Sequence, residues 1–171
     1  MVVLRATRRV LSKLAPAAGR VVASDTALGD WYVNRLIVDR QPLLLLVSSL
    51  SLLSILAPAR EVWTLPTRLA TLVASRLRRL GITESLIDAE VAAMDPVCVA
   101  ATQDRSVLGS MVDFAKTIPF YLPSGKWDVT TLPLIESRLA ETPCRVSDHH
   151  EVTVWPGRAT PDLLSARWHA A

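Results

Sequence analysis

The stretch PLLLLVSSLSLLSILAP, residues 42–58, is the most apolar run in the chain, and its reading decides the fold. A membrane-spanning helix needs about 20 consecutive apolar residues. The two prolines enclose fifteen, Leu43 to Ala57, and four of these are serines, at positions 48, 49, 51 and 54. No second hydrophobic span exists, and the apolar stretches of the basic N-terminus are too broken for a secretory signal. The upstream flank, WYVNRLIV at 31–38, is rich in aromatic and β-branched residues, and Asp39, Arg40, Gln41 and Pro42 punctuate it. Residues 43–47 then read as a strand buried on both faces, which has no need to alternate. Leucine is only a modest strand former, so this reading rests on context. The expectation is a central hairpin folded inward, with no membrane contact.

Outward from the hairpin, VVLRAT at 2–7 reads as an opening strand and RRVLSKLAP as a short basic amphipathic helix. Residues 16–29 are small and polar and read as a loop. SLSLLSILAP fits either a further strand or a short helix. TLPTRLATLVASRLRRLG is the clearest helix: Thr64 is the expected cap, and Leu65, Leu69, Leu72, Val73, Leu77 and Leu80 form its apolar stripe. Arg76, Arg78 and Arg79 crowd its last turn, where cations suit the helix dipole. A second helix follows, with Thr83 as cap and Asp95-Pro96 as stop. VCVAAT reads as a short buried strand, and DRSVLGSMVDFAKTI as a helix that Pro119 ends or kinks. Ser124-Gly125-Lys126 marks a turn, and TTLPLIESRLAE a last core helix. From Pro143 onward periodicity fades. Residues 143–171 read as a peripheral tail, with an edge strand near 152–155.

Strands come mostly first and helices mostly later. The expected class is therefore α+β: a small mixed or antiparallel sheet with a central hairpin, packed by about four to five helices in one domain, 1–142. The chain has 171 residues, a net charge of +3 and a mean hydropathy of +0.31. That length buries a core without disulfides or metals. Cys98 and Cys144 form no paired motif, which suits a reducing cytoplasm, and Cys98 reads as a small core residue.

Chemistry concentrates at TQDRSVLGSMVDF, residues 102–114, which passes from a strand into a helix through polar residues. Backbone N–H groups at that helix start, with Arg105 and the Ser106 hydroxyl, suit an anion. Gly109 costs a helix about 1 kcal/mol relative to alanine and asks for a reason. Ser110 and Asp113 share a helical side. Trp31 and Asn34 on the hairpin complete the candidate ligand set. The structural alternative is that Asp104 or Ser106 simply caps the helix and Asp113 is exposed. Cys144, Asp148, His149, His150 and His169 lack zinc spacing, so no metal is expected. Glycine-rich phosphate loops are absent, so no nucleotide cofactor is expected.

RSVLGSMVD, together with the 31–58 hairpin, resembles a bacterial family of domains of unknown function, DUF6933, over roughly residues 2–140. Where the family pattern has Asn before the helix Asp, this chain has Val112. The resemblance implies a small soluble bacterial α+β domain and no activity.

The functional expectation is an interaction or accessory protein that binds a protein or nucleic-acid partner through the basic N-terminal helix and the face from Arg68 to Arg79. The alternative is an enzyme or binding domain for a phosphorylated or other anionic ligand at Arg105-Ser106.

Overall fold

The computed structural model describes residues 1–19, 21–122, 128–148 and 150–169, with the side chains of residues 146–148, 150 and 151 left aside. The expected turn at Ser124–Lys126 and His149 lie outside the described residues. The 42–58 run is sheet. Strand β1 (Val2–Ala6) leads through a one-turn helix, α1 (Arg8–Leu11), to β2 (Trp31–Val38), β3 (Gln41–Ser48) and β4 (Ser54–Pro58). A 3-10 helix (Ala59–Thr64) runs into α2 (Leu65–Arg79). Then come α3 (Glu84–Ala93), β5 (Val97–Ala101), α4 (Arg105–Tyr121), α5 (Leu132–Ala140), β6 (Cys144–Asp148), β7 (His150–Val154) and α6 (Pro156–Trp168). The main sheet has the order β4-β3-β2-β1-β5, with β1 parallel to both neighbours and the β2–β3–β4 meander antiparallel. This is the α+β class with a mixed sheet.

The turn between β2 and β3 is tighter than the sequence suggests. Val38 pairs with Gln41, leaving only Asp39 and Arg40 in the loop, both with positive φ (50° and 63°). Two left-handed residues in a two-residue loop match the twist of a hairpin. Gln41 and Pro42 therefore belong to the strand.

Helices cover both faces, which explains why β3 does not alternate in hydropathy. Leu44 and Leu46 join Val2, Leu4, Trp31, Val33, Ile55 and Ala57 on one face, under α1, α2, α3 and α6. Leu43, Leu45 and Val47 join Tyr32, Val38 and Leu56 on the other, under α4 and α5. Ser48, Ser51 and Ser54 are fully buried. Ser48 and Ser51 share a hydrogen bond of 2.7 Å at the β3–β4 turn, and each accepts from the Leu53 N–H. Ser54 Oγ finds no partner among the described residues. A buried hydroxyl without a partner is a desolvation penalty, so Ser54→Ala should stabilise the fold by about 1 kcal/mol in urea unfolding.

Several local expectations change. Thr64 does not cap α2, because the 3-10 helix feeds straight into it and leaves no open end; its hydroxyl donates to Glu61 O instead. Thr83 stands at the cap of α3 without a side-chain cap bond. Helix α4 runs through Pro119 to Tyr121, so the proline does not end it there, although it forfeits the N–H bond to the carbonyl one turn back. Cys98 is half-buried, while Cys144 is buried. The stretch read as a peripheral tail is folded: β7 forms, but pairs with β6 in a separate two-stranded sheet. Leu164 of α6 is completely buried in the core under β1–β4.

Candidate functional site

The residues singled out at the α4 start do not gather in one cleft. Asp104 caps α4, its Oδ1 accepting from the N–H groups of Ser106 (2.7 Å) and Val107 (3.3 Å). The helix start thus already holds a carboxylate, which takes the donors an anion would use. Arg105 is exposed beside it. Ser110 is buried one turn on, donating to Ser106 O at 3.3 Å. Asp113 is exposed, 3.8 Å from Lys116, and lies eight residues or about 12 Å along the axis from Arg105. Trp31 is fully buried on the opposite face of the sheet from α4. Asn34 is in phase with Tyr32 and Leu36, and its Oδ1 accepts from the Thr7 hydroxyl at 3.0 Å.

Topology favours a crevice nearby. After β1 the chain leaves for one face, and after neighbouring β5 it leaves for the other. Such a switch point commonly opens a ligand crevice. Here the protein's own groups fill it. Arg5, almost buried, pairs with Asp30 and donates to Ala101 O at 3.1 Å. The Tyr32 hydroxyl accepts from the Asp104 N–H at 3.2 Å, and burial raises its pKa above 10.0.

The face from Arg68 to Arg79 is not one basic surface. Arg68 is held by Glu61 and Arg78 by Glu84. Arg76 points inward at 1% exposure, and Arg76 and Arg79 converge on the buried Glu136. Each of these arginines is paired with a carboxylate, and Arg76 alone among them is buried.

Two other surfaces stand out, and they meet along α5. The first joins the end of α4 to α5. Phe120 is 84% exposed and Leu134 69%, and with Tyr121, Ser137, Arg138 and Glu141 they line a cavity of about 650 Å³. The second lies between the C-terminal ends of α2 and α5 and the start of α6. Arg76, Arg79, Leu80, Ser137, Trp155 and Arg158 are among the residues lining a cavity of about 620 Å³ there. Arg158 lies over the Trp155 ring, 5.2 Å from its centre. Gly157 lets α6 approach α5: a Cβ at this position would sit 3.1 Å from Ala140 O. Sequence reading missed both surfaces. The signal for the second was Trp155-Pro156, since proline suits a first helical turn.

Burial raises the Cys144 thiol to about 11, which removes it as a nucleophile near neutral pH. Among the described residues no group of three His, Cys, Asp or Glu side chains is placed to hold a metal ion. Among the same residues, no helix is long and apolar enough to cross a membrane.

The molecule is thus a mixed-sheet α+β domain whose conspicuous surface features are a cavity flanked by exposed Phe120 and Leu134 and an arginine-lined one. Residues 3–159 match the family described as Domain of unknown function (DUF6933), and the chain belongs to that family. The match extends through the β6–β7 hairpin into the first turn of α6. No curated protein matches the chain, and no solved structure does.

Proposed function

We propose that this domain is an interaction module of the cytoplasm that binds a protein partner through the α4–α5 surface around Phe120, Tyr121 and Leu134. The exposure of Phe120 and Leu134 beside one cavity carries the reading. Large apolar side chains displayed together, rimmed by polar ones, mark interaction sites more often than they mark open surface. Phenylalanine, tyrosine and arginine are the residue types that anchor protein interfaces, and Arg138 stands at the rim. The two free cysteines suit a reducing compartment. Nucleic acid is the weaker partner, because the arginines of α2 are committed to Glu61, Glu84 and Glu136.

The test compares wild type with Phe120→Asp/Leu134→Asp in cross-linked affinity capture. Both side chains are exposed, so stability should change by no more than about 0.5 kcal/mol per site. The expected result is a defined protein retained by wild type and lost by the double variant. Equal retention by both overturns the proposal. So does a gel shift on DNA or RNA that weakens steeply with salt and ignores the substitutions.

A further inference from the structure

The arginine-lined cavity differs from the neighbouring surface, which carries the exposed Phe120 and Leu134. Glu136 is the only carboxylate among the described residues that pairs with Arg76 and Arg79. Its Oε2 takes Arg79 at 2.6 Å and lies 3.7 Å from Arg76 Nε, while its Oε1 is occupied by the Leu56 N–H. Arg158 brings a further guanidinium to the cavity, and Glu141 is the carboxylate on its lining. Arg76 is buried and spent on Ser54 O, Glu136 O and the Glu136 carboxylate, so Arg79 and Arg158 are the guanidiniums the cavity offers, against the single lining carboxylate of Glu141.

A purely structural account covers part of this. Arg76 and Arg79 lie in the last turn of α2, where cations offset the helix dipole. Arg158 has the opposite placement: it is the third residue of α6, where the dipole is itself positive and a cation is disfavoured. Its guanidinium nevertheless leans over Trp155 at the same cavity. Arg158 thus adds positive charge where Arg79 already supplies it. An anion seated there would relieve both.

We propose that this cavity binds a phosphate monoester of small-molecule size. Guanidinium forks match phosphate oxygens in bidentate geometry. A volume of about 620 Å³ fits a whole small ligand as well as its anion. Leu80, Ala140 and the Trp155 ring provide an apolar wall for the rest of the molecule. The site is independent of the protein-docking surface, although Ser137 and Glu141 border both cavities.

The probes are inorganic phosphate, ribose 5-phosphate and AMP, titrated up to about 10 mM while the Trp155 indole resonance and the heat of binding are followed. Saturable binding of all three is expected, tightest for AMP if the ring uses the Trp155 wall and equal to ribose 5-phosphate if it does not. Arg158→Ala, at an exposed position outside the core, should weaken each probe at least tenfold with the circular dichroism unchanged. Arg158→Lys, which keeps the charge and loses the fork, should fall between. The Phe120→Asp/Leu134→Asp variant should bind the probes like wild type, so failure of the docking proposal leaves this one standing. No saturable response in wild type, or unchanged affinity in Arg158→Ala, overturns it.

Discussion

Glu136→Ala should destabilise the protein by about 3–5 kcal/mol, seen as a Tm lower by roughly 10 °C. The ordinary part of this loss is a stranded charge. Arg76 has 1% side-chain exposure, and burial already lowers its pKa below the ordinary arginine value while Glu136 raises it. The less ordinary part concerns the sheet. Strand β4 is an edge, and an exposed edge invites pairing with other chains. Two of its backbone groups are taken by this ion pair: Arg76 Nε donates to Ser54 O at 3.1 Å, and the Leu56 N–H donates to Glu136 Oε1 at 2.8 Å. Arg76 and Glu136 thus stand in for a sixth strand. Buried ion pairs elsewhere often exchange for apolar residues at no cost. Here Arg76→Met/Glu136→Met should remain destabilised by about 2 kcal/mol or more, since two buried backbone groups lose their partners. It should also self-associate with rising concentration. A double variant as stable and monomeric as wild type would refute the edge-capping role.

The second large effect belongs to Glu90. This carboxylate on α3 is fully buried and accepts from the N–H groups of Ala27 (2.8 Å) and Leu28 (3.0 Å) and from Trp168 Nε1 (2.9 Å). One side chain therefore ties the loop before β2 and the end of α6 to α3. Glu90→Ala leaves three donors without their acceptor and should cost about 3–4 kcal/mol. The site also makes stability depend on pH. Burial raises the Glu90 pKa above its reference of 4.5, against the lowering effect of its three hydrogen bonds and Arg167. The folded protein therefore holds this proton more tightly than the unfolded chain does. The stability due to that tighter hold is fully present below pH 4.5 and is lost as pH rises through the raised folded value. Glu90→Gln cannot titrate, so the difference in unfolding free energy between wild type and Glu90→Gln should move with pH over that window and level off above it. A difference constant with pH would remove Glu90 as the source.

Much of the architecture is legible in the sequence because periodicity and punctuation report local structure directly. The α2 stripe, the 31–47 hairpin and the stop at Asp95-Pro96 are of this kind. The α4 start was legible as an alternative: Asp104 as cap was one of the readings, and the geometry adopts it. The features that hold the fold and shape its surfaces were not legible. Glu90 falls in the apolar pattern of Leu86 and Ile87, and Glu136 falls in that of Leu132, Ile135 and Leu139. A carboxylate at a core position is a sequence signal, yet only its distant partners give it a meaning. Those partners lie 62–78 residues away from Glu90 and 57–80 from Glu136. Helix α6 was missed because its first turn is Pro-Gly-Arg and its apolar periodicity is weak.

The sequence by itself determined that the leucine-rich middle is sheet. Fifteen residues with four serines are too few and too polar to span a bilayer, and the flanks are β-branched and turn-bounded. Tertiary structure alone decided which charges are spent and which are offered. Arginines three residues apart on one helix, Arg76 and Arg79, differ in burial because α5 and β4 pack over one and not the other. Arg158, 79 residues further along than Arg79, completes their cavity because α6 folds back against α5. Burial and pairing depend on chain segments meeting across the fold, and no local pattern carries that information.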